Sequence, residues 1–367
     1  MAAQRAAIIG TGEPGVSGSA AIIGTGLIGG SIGLALRERG WWVSGTDQDE
    51  SVAAEALRRG ALDEVGPSTD ADITFVATPV GSAAPEARKA LAAGRGPVTD
   101  VGSVKAPIVS AVDSPRFVGG HPMAGSEQEG VAGARADLFQ NAVWVLTPTD
   151  DTDDDSLVRI RSVVASLGAD VVSLAPERHD ALVAVVSHVP HLTAATLMAL
   201  ADERSEEHQV MLRLAAGGFR DMTRIASGHP GIWPDICDEN SEAICSVLDR
   251  FIEDLAYVRT LVADGNRGGL LELLEQARSA RSHLPYGLDR DVSLSEVRVP
   301  VFDRPGELAR ITSLTTDIGV NIFDLEIAHS VEGGQGVAIL VVNAEASEGL
   351  LQALREQGYA PSSRILS

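Results

Sequence analysis

Two short polar segments each follow an apolar run: Asp100-Val101-Gly102-Ser103-Val104-Lys105 and Gly120-His121-Pro122-Met123-Ala124-Gly125-Ser126-Glu127. Each is therefore expected at the carboxyl end of a strand, beside a third such end at Thr78-Pro79-Val80. A histidine near its normal pKa can take a proton from a hydroxyl while hydride leaves the same carbon, and a neighbouring serine can hold its ring. His121 with Ser103 fits that chemistry. Further along, Ser187-His188-Val189-Pro190-His191 offers hydrogen bonds to a substrate. GGFRDMTRIA, from Gly217 to Ala226, supplies Arg224, whose paired donors suit a carboxylate. Metal binding is not expected, because no HExxH motif exists and Pro190 separates the two histidines.

The chemistry needs a hydride acceptor, and Ala20 to Asp47 has the parts to hold one. An apolar run ends at Gly24-Thr25-Gly26-Leu27-Ile28-Gly29, a helical pattern follows, and a second apolar run closes on Asp47. Gly24 permits a tight turn, Gly26 lets backbone approach a pyrophosphate, and Gly29 allows close helix-to-strand packing, while the helix N-terminus faces the anion. Asp47 stands where a carboxylate accepts ribose hydroxyls, which favours NAD over NADP. Leu27, Ile28, Thr78 and Pro79 complete the expected cofactor-binding set. The earlier copy, Gly10-Thr11-Gly12-Glu13-Pro14-Gly15, is read as a decoy: Val16-Ser17-Gly18-Ser19 is too short for a crossover helix, and Glu13 would face the phosphates.

Positioning these groups requires three kinds of architecture. From Ala20 to about Pro176, short apolar runs alternate with helical patterns, predicting a Rossmann-type parallel α/β sheet. Its strands are expected at Ala20–Ile23, Trp42–Gly45, Ile73–Ala77, Val98–Val101, Phe117–Gly119, Ala142–Leu146 and Asp170–Ser173. The acidic stretch Asp150 to Asp155 reads as a solvated loop that caps a helix over Ser156–Leu167. After Glu177 strand patterns give way to helices, the clearest from Ser241 to Val262, whose apolar stripe is core or subunit interface. From Val292 a small α+β unit begins, with a βαββα pattern of about 70 residues. The expected domains are thus an N-terminal extension (1–19), a nucleotide-binding domain (20–177), an all-α substrate and dimerisation domain (178–285) and a small C-terminal domain (294–367).

Bulk properties narrow the partners. The 367 residues carry 51 acidic against 29 basic side chains and a formal charge of −22, which argues against nucleic acid or an anionic membrane surface. No run was expected to reach the roughly 20 apolar residues of a membrane span, and no signal peptide is evident, so a cytoplasmic address is expected. The only two cysteines, Cys237 and Cys245, form no disulfide or zinc pattern and are expected to be reduced, buried and idle.

Five ordered motifs resemble the prephenate and arogenate dehydrogenase family of tyrosine biosynthesis: GTGLIGGS at Gly24, DVGSVK at Asp100, GHPMAGSEQEG at Gly120, SHVPH at Ser187 and GGFRDMTRIA at Gly217. The resemblance spans Ala20 to Leu284 and implies NAD-dependent oxidative decarboxylation, with either prephenate or arogenate as substrate. It implies that His121 contacts the ring hydroxyl, Ser103 supports it, Arg224 binds a carboxylate, and Glu127, His191, Asp221 and Trp233 line or order the pocket. It further implies a homodimer made by the helical domain. A β-hydroxyacid dehydrogenase would need a lysine in the helical region, and Glu177 to Leu284 contains none. A non-catalytic sensor of NAD and an amino acid is a further alternative, disfavoured by the intact Ser103, His121 and Arg224. The C-terminal segment resembles an ACT domain in DRPGELARI and GVNI. That implies an amino-acid effector, tyrosine, at Asp303, Gly306 and Asn321.

Overall fold

In the computed structural model, which describes residues 18–126, 128, 130–202, 217–282, 294–302, 304, 306–329 and 335–366, the apolar runs of the first half assemble into one eight-stranded sheet. Its strands are β1 (Ser19–Ile23), β2 (Trp42–Thr46), β3 (Glu64–Val65), β4 (Ile73–Val76), β5 (Val98–Asp100), β6 (Phe117–Pro122), β7 (Val143–Thr147) and β8 (Asp170–Ser173), in spatial order β3-β2-β1-β4-β5-β6-β7-β8. The strands alternate with helices α1 (Leu27–Glu38), α2 (Glu50–Arg58), α3 (Val80–Ala93), α4 (Ala106–Ala111) and α5 (Asp154–Ser166). Both faces are covered. Ile22, Val43, Phe75 and Leu146 of the strands are buried with Ile32 and Leu36 of α1 and Ile160 and Val164 of α5. Asp153 caps α5, accepting the Ser156 N–H at 2.9 Å, as the acidic stretch anticipates.

The strand order reverses between β1 and β4, and such a switch point opens a crevice beyond the carboxyl ends of the strands. Pairing of Ile23 with both Thr46 and Val76, and of Val76 with Asp100, brings four of those ends level.

Two expectations are corrected here. The sheet is not wholly parallel, because β7 pairs antiparallel with β6. Among the described residues only a single 3₁₀ turn, Val131–Gly133, lies between them, and without a crossover helix the chain re-enters the sheet in the opposite sense. Strand β6 also runs three residues further than anticipated. Its extension, His121 against Val145 and Pro122 against Trp144, carries the histidine past the end of β5 on regular backbone rather than on a loop.

After β8 the chain turns helical: α6 (Pro176–Val183), a π-helical segment (Ala184–His188), α7 (Val189–Asp202), α8 (Gly217–Thr223), short 3₁₀ turns at Arg224–Ser227 and Pro230–Ile232, α9 (Trp233–Glu239), α10 (Ser241–Ala263) and α11 (Arg267–Ser282). The continuous helix Pro176–Asp202, of 27 residues with an 18-residue window of mean hydropathy 1.5, is long and apolar enough to cross a bilayer, contrary to the expectation from sequence. Its inner face nevertheless carries the buried polar groups His179, Asp180 and His188, while Leu182, Val185, Val186 and Leu200 are exposed. On α10, Ile244 is buried and Val247, Leu248 and Phe251 are packed against it, but Ile252, Leu255 and Val262 are exposed.

The described chain divides into two compact units, the first ending at Asp254 and the second beginning at Leu255, within α10. The second contains a four-stranded antiparallel sheet built from β9 (Leu294–Phe302), β10 (Ile322–His329), β11 (Gln335–Asn343) and β12 (Ser362–Leu366), in order β10-β11-β9-β12, with helices α12 (Glu307–Asp317) and α13 (Ala344–Glu356). Alternate residues Val297, Val299 and Val301 of β9 and Ala338, Leu340 and Val342 of β11 pack with Ile311 of α12 and Leu350 and Leu354 of α13, so both helices cover one face. The plan is βαββαβ. Its last strand is absent from the βαββα expectation because Ser362–Leu366 reads as polar at its start and pairs with β9 far back in the chain.

Candidate active site

The loop between β1 and α1 has a cradle's geometry. Gly24 has φ +91°, and a β-carbon there would stand 2.5 Å from the Ala77 carbonyl oxygen; one at Gly29 would stand 1.9 Å from the Gly24 oxygen. Backbone thus packs where side chains cannot. At Gly26, by contrast, nothing lies within 4 Å of that position, and α1 starts there with no side-chain cap and no acidic residue in its first turn. Open space in front of uncapped N–H groups suits an anion. Asp47, at the end of β2, accepts the Thr25 N–H at 2.7 Å through Oδ2 and the Asp49 N–H at 3.1 Å through Oδ1, which fixes its carboxylate beside the loop. The Thr78 hydroxyl, next to exposed Pro79 at the β4 end, is buried without a hydrogen-bond partner. These are features a dinucleotide would satisfy.

Beyond the ends of β5 and β6 lies a connected buried network. His121 is 8% exposed, and its Nδ1 lies 2.8 Å from Nε2 of His179; the Nδ1 of His179 lies 2.7 Å from Asp180 Oδ1. Asp180 is pinned by backbone: Lys105 N–H donates to Oδ1 at 2.7 Å and Ala106 N–H to Oδ2 at 2.8 Å. The Lys105 ammonium is fully buried, pairs with Asp100 Oδ2 and donates to the Gly120 carbonyl at 2.8 Å. Asp100 in turn accepts the Gly102 and Gly120 N–H groups at 2.9 and 3.1 Å. Asn240 joins the network from the start of α10, donating to the Asp180 carbonyl at 3.0 Å and lying 3.2 Å from His188 Nδ1.

This environment disfavours added positive charge. Burial first, then His179, Lys105 and His188, hold His121 well below the ordinary imidazole range. Burial brings His188 down to about 4, with nearby Asp180 opposing the shift and His179 adding to it. Both rings are neutral at physiological pH. His191 stacks on Trp233 with ring centroids 3.7 Å apart, and His188 meets the same indole edge-on at 6.1 Å.

Of the residues singled out from sequence, His121 and His188 belong to this network, and Trp233 and His191 join it through the ring contacts of Trp233. Ser103 is half-buried on the β5 loop, but no hydrogen bond joins it to His121; the partner at Nδ1 is His179. Arg224 opens the 3₁₀ turn after α8 and is exposed, as is Asp221. That turn abuts His191, whose Cε1 lies 3.7 Å from a β-carbon built on Gly228. Glu127 and Asp303 lie outside the described residues; Gly306, left-handed with φ +90°, and Asn321 are exposed in the second unit. Sequence reasoning missed His179, Asp180, Asp100 as a ligand of Lys105, and Asn240. An adjacent His-Asp pair three residues ahead of buried Val183 on one helix was the available signal.

Comparison with known proteins shows the family to which these two regions belong. Residues 32–173 match a family model described as prephenate dehydrogenase, nucleotide-binding domain, and residues 175–276 one described as prephenate dehydrogenase, dimerization domain. Prephenate dehydrogenase of Bacillus subtilis is 33% identical over 332 residues, covering 86% of this chain and 90% of that protein. Among solved structures, prephenate dehydrogenase from A. aeolicus in complex with hydroxyphenyl propionate and NAD+ is similar with a TM-score of 0.68 and 31% identity, covering 73% of this chain and 98% of its own. Synechocystis arogenate dehydrogenase is similar with a TM-score of 0.63 and 32% identity, over 72% and 98% of the two chains.

Proposed function

Because this chain belongs to the prephenate dehydrogenase family, we propose that it oxidatively decarboxylates prephenate to 4-hydroxyphenylpyruvate with NAD. The observation that carries the reading is buried, neutral His121, whose second ring nitrogen has no hydrogen-bond partner among the described residues, in the same sheet as the open nucleotide loop. NAD, when bound, supplies the hydride acceptor; Gly24, Gly26, Leu27, Ile28, Gly29, Asp47, Thr78 and Pro79 would hold it.

In this mechanism His121 Nε2 accepts the proton of the substrate ring hydroxyl as the C–O bond gains double-bond character. When carbon dioxide leaves the quaternary carbon on the opposite side of the ring from the hydroxyl and the ring becomes aromatic, the same proton returns to the oxygen, so the residue ends as it began. Arg224 binds a substrate carboxylate, and His191, Trp233, Asp221, Glu127 and Ser103 order the pocket around it. Likeness to the arogenate enzyme of Synechocystis keeps arogenate as the alternative substrate. Assay of the purified protein with each substrate, and with NAD and NADP separately, tests the assignment; prephenate with NAD is expected to turn over fastest.

We further propose a homodimer formed through the helical region, a cytoplasmic address, and an ACT-like C-terminal unit that binds tyrosine near Asp303, Gly306 and Asn321 to lower activity. The βαββαβ plan supports the last reading. A chain ending near Leu284 is expected to keep its turnover and lose sensitivity to tyrosine; retention of full sensitivity, with competition at the active site excluded, overturns it.

A further inference from the structure

We propose that His179, oriented by Asp180, is a positioning residue that keeps His121 in the tautomer with Nε2 bare toward the substrate. The inference rests on His121 acting as the base and asks what makes that nitrogen available. With His179 neutral, the hydrogen bonds leave one consistent assignment. Asp180 is held by two backbone donors, from Lys105 and Ala106, at the start of α4, so its carboxylate cannot swing away and can only accept. The His179 nitrogen 2.7 Å from it must therefore carry the hydrogen. In neutral His179 that leaves Nε2 as an acceptor, and the His121 nitrogen 2.8 Å away must be the donor. His121 then has its hydrogen on Nδ1 and its lone pair on Nε2.

The rest of the surroundings enforce the same state. The ammonium of Lys105, 0% exposed, bonds the carbonyl of Gly120 and so fixes the backbone that enters His121. Among the described residues, His179 from α6, Lys105 after β5 and His188 from the π-helical segment act electrostatically on His121, and Asp180 and Asp100 pair with His179 and Lys105 behind it. Asp180 touches His179 and not His121, so the carboxylate acts on the base only through the intervening ring.

The test compares His179→Leu, which removes the acceptor, with His179→Gln, whose side-chain carbonyl can still accept from His121 Nδ1. Expected for the leucine variant is a loss of about 100-fold in kcat, with the KM for prephenate and the Kd for NAD within about threefold of the parent. The glutamine variant is expected to recover to within about tenfold. A leucine variant with parental kcat, equal losses in both variants, or an effect confined to KM overturns the proposal. Nitrogen-15 NMR of histidine-labelled, unsubstituted protein reads the tautomer whether or not the variants fold. Unprotonated Nε2 at His121 is expected, and protonated Nε2 overturns the proposal. That measurement needs no turnover, so it separates failure of this inference from failure of the catalytic assignment, which His121→Asn addresses.

Discussion

His121 and His188 are imidazoles kept from water, and their shifts have a consequence for stability. Their folded-state values lie below the ordinary 6.5, so between that pH and the lowered values the unfolded chain binds more protons than the folded one. Stability is therefore fully present above pH 6.5 and is lost as pH falls through the interval down to about 4 for His188. The melting temperature is expected to fall on acidification across this window, and less steeply in His188→Gln; an identical slope in the two proteins contradicts the assignment. His121 and His188 were visible in the sequence because each sits in a short, dense motif. His179 was not, since its partner lies 58 residues away and only the docking of α6 on the sheet joins them.

At the scale of elements, the turn from β1 into α1 was readable because its constraints are local: a left-handed Gly24, a close approach at Gly29 and free space at Gly26 within six residues. The two inner glycines should separate cleanly. Gly29→Ala drives a β-carbon into the Gly24 carbonyl and is expected to cost about 2–4 kcal/mol of stability. Gly26→Ala meets open space, so its melting temperature should match the parent while its affinity for NAD drops by tenfold or more, about 1.4 kcal/mol. Calorimetry of both variants checks this, and unchanged NAD affinity in Gly26→Ala contradicts the proposed phosphate site. Strand direction was less legible. Apolar runs mark that β7 exists, but its antiparallel sense depends on what connects it to β6, and β12 reveals itself only through pairing with β9.

For the whole molecule, the helical region carries more apolar surface than its own core covers. Val186 is 66% exposed and Ile252 61%, on helices whose inner faces hold Asp180, His188 and Ile244. Exposed apolar side chains of this kind suit the proposed dimer, in keeping with the dimerization-domain match and with the reading of the α10 stripe as core or interface. The chain is expected to sediment at twice its 38.2 kDa, and Val186→Glu to shift it toward monomer with helix content unchanged. A parent protein that is monomeric at every concentration contradicts the dimer. The same exposed residues explain why Pro176–Asp202 passes as a membrane span by length and apolarity, although its inner side is polar and hydrogen-bonded.

The central claim is that His121 is the base for oxidation of prephenate by NAD, and steady-state kinetics on His121→Asn test it most directly. The unsubstituted protein should form NADH and 4-hydroxyphenylpyruvate in equal amounts from prephenate. The variant should lose about 10²- to 10⁴-fold in kcat with little change in KM. Unchanged turnover in the variant, or no NADH from the unsubstituted protein with prephenate or arogenate, would contradict the account.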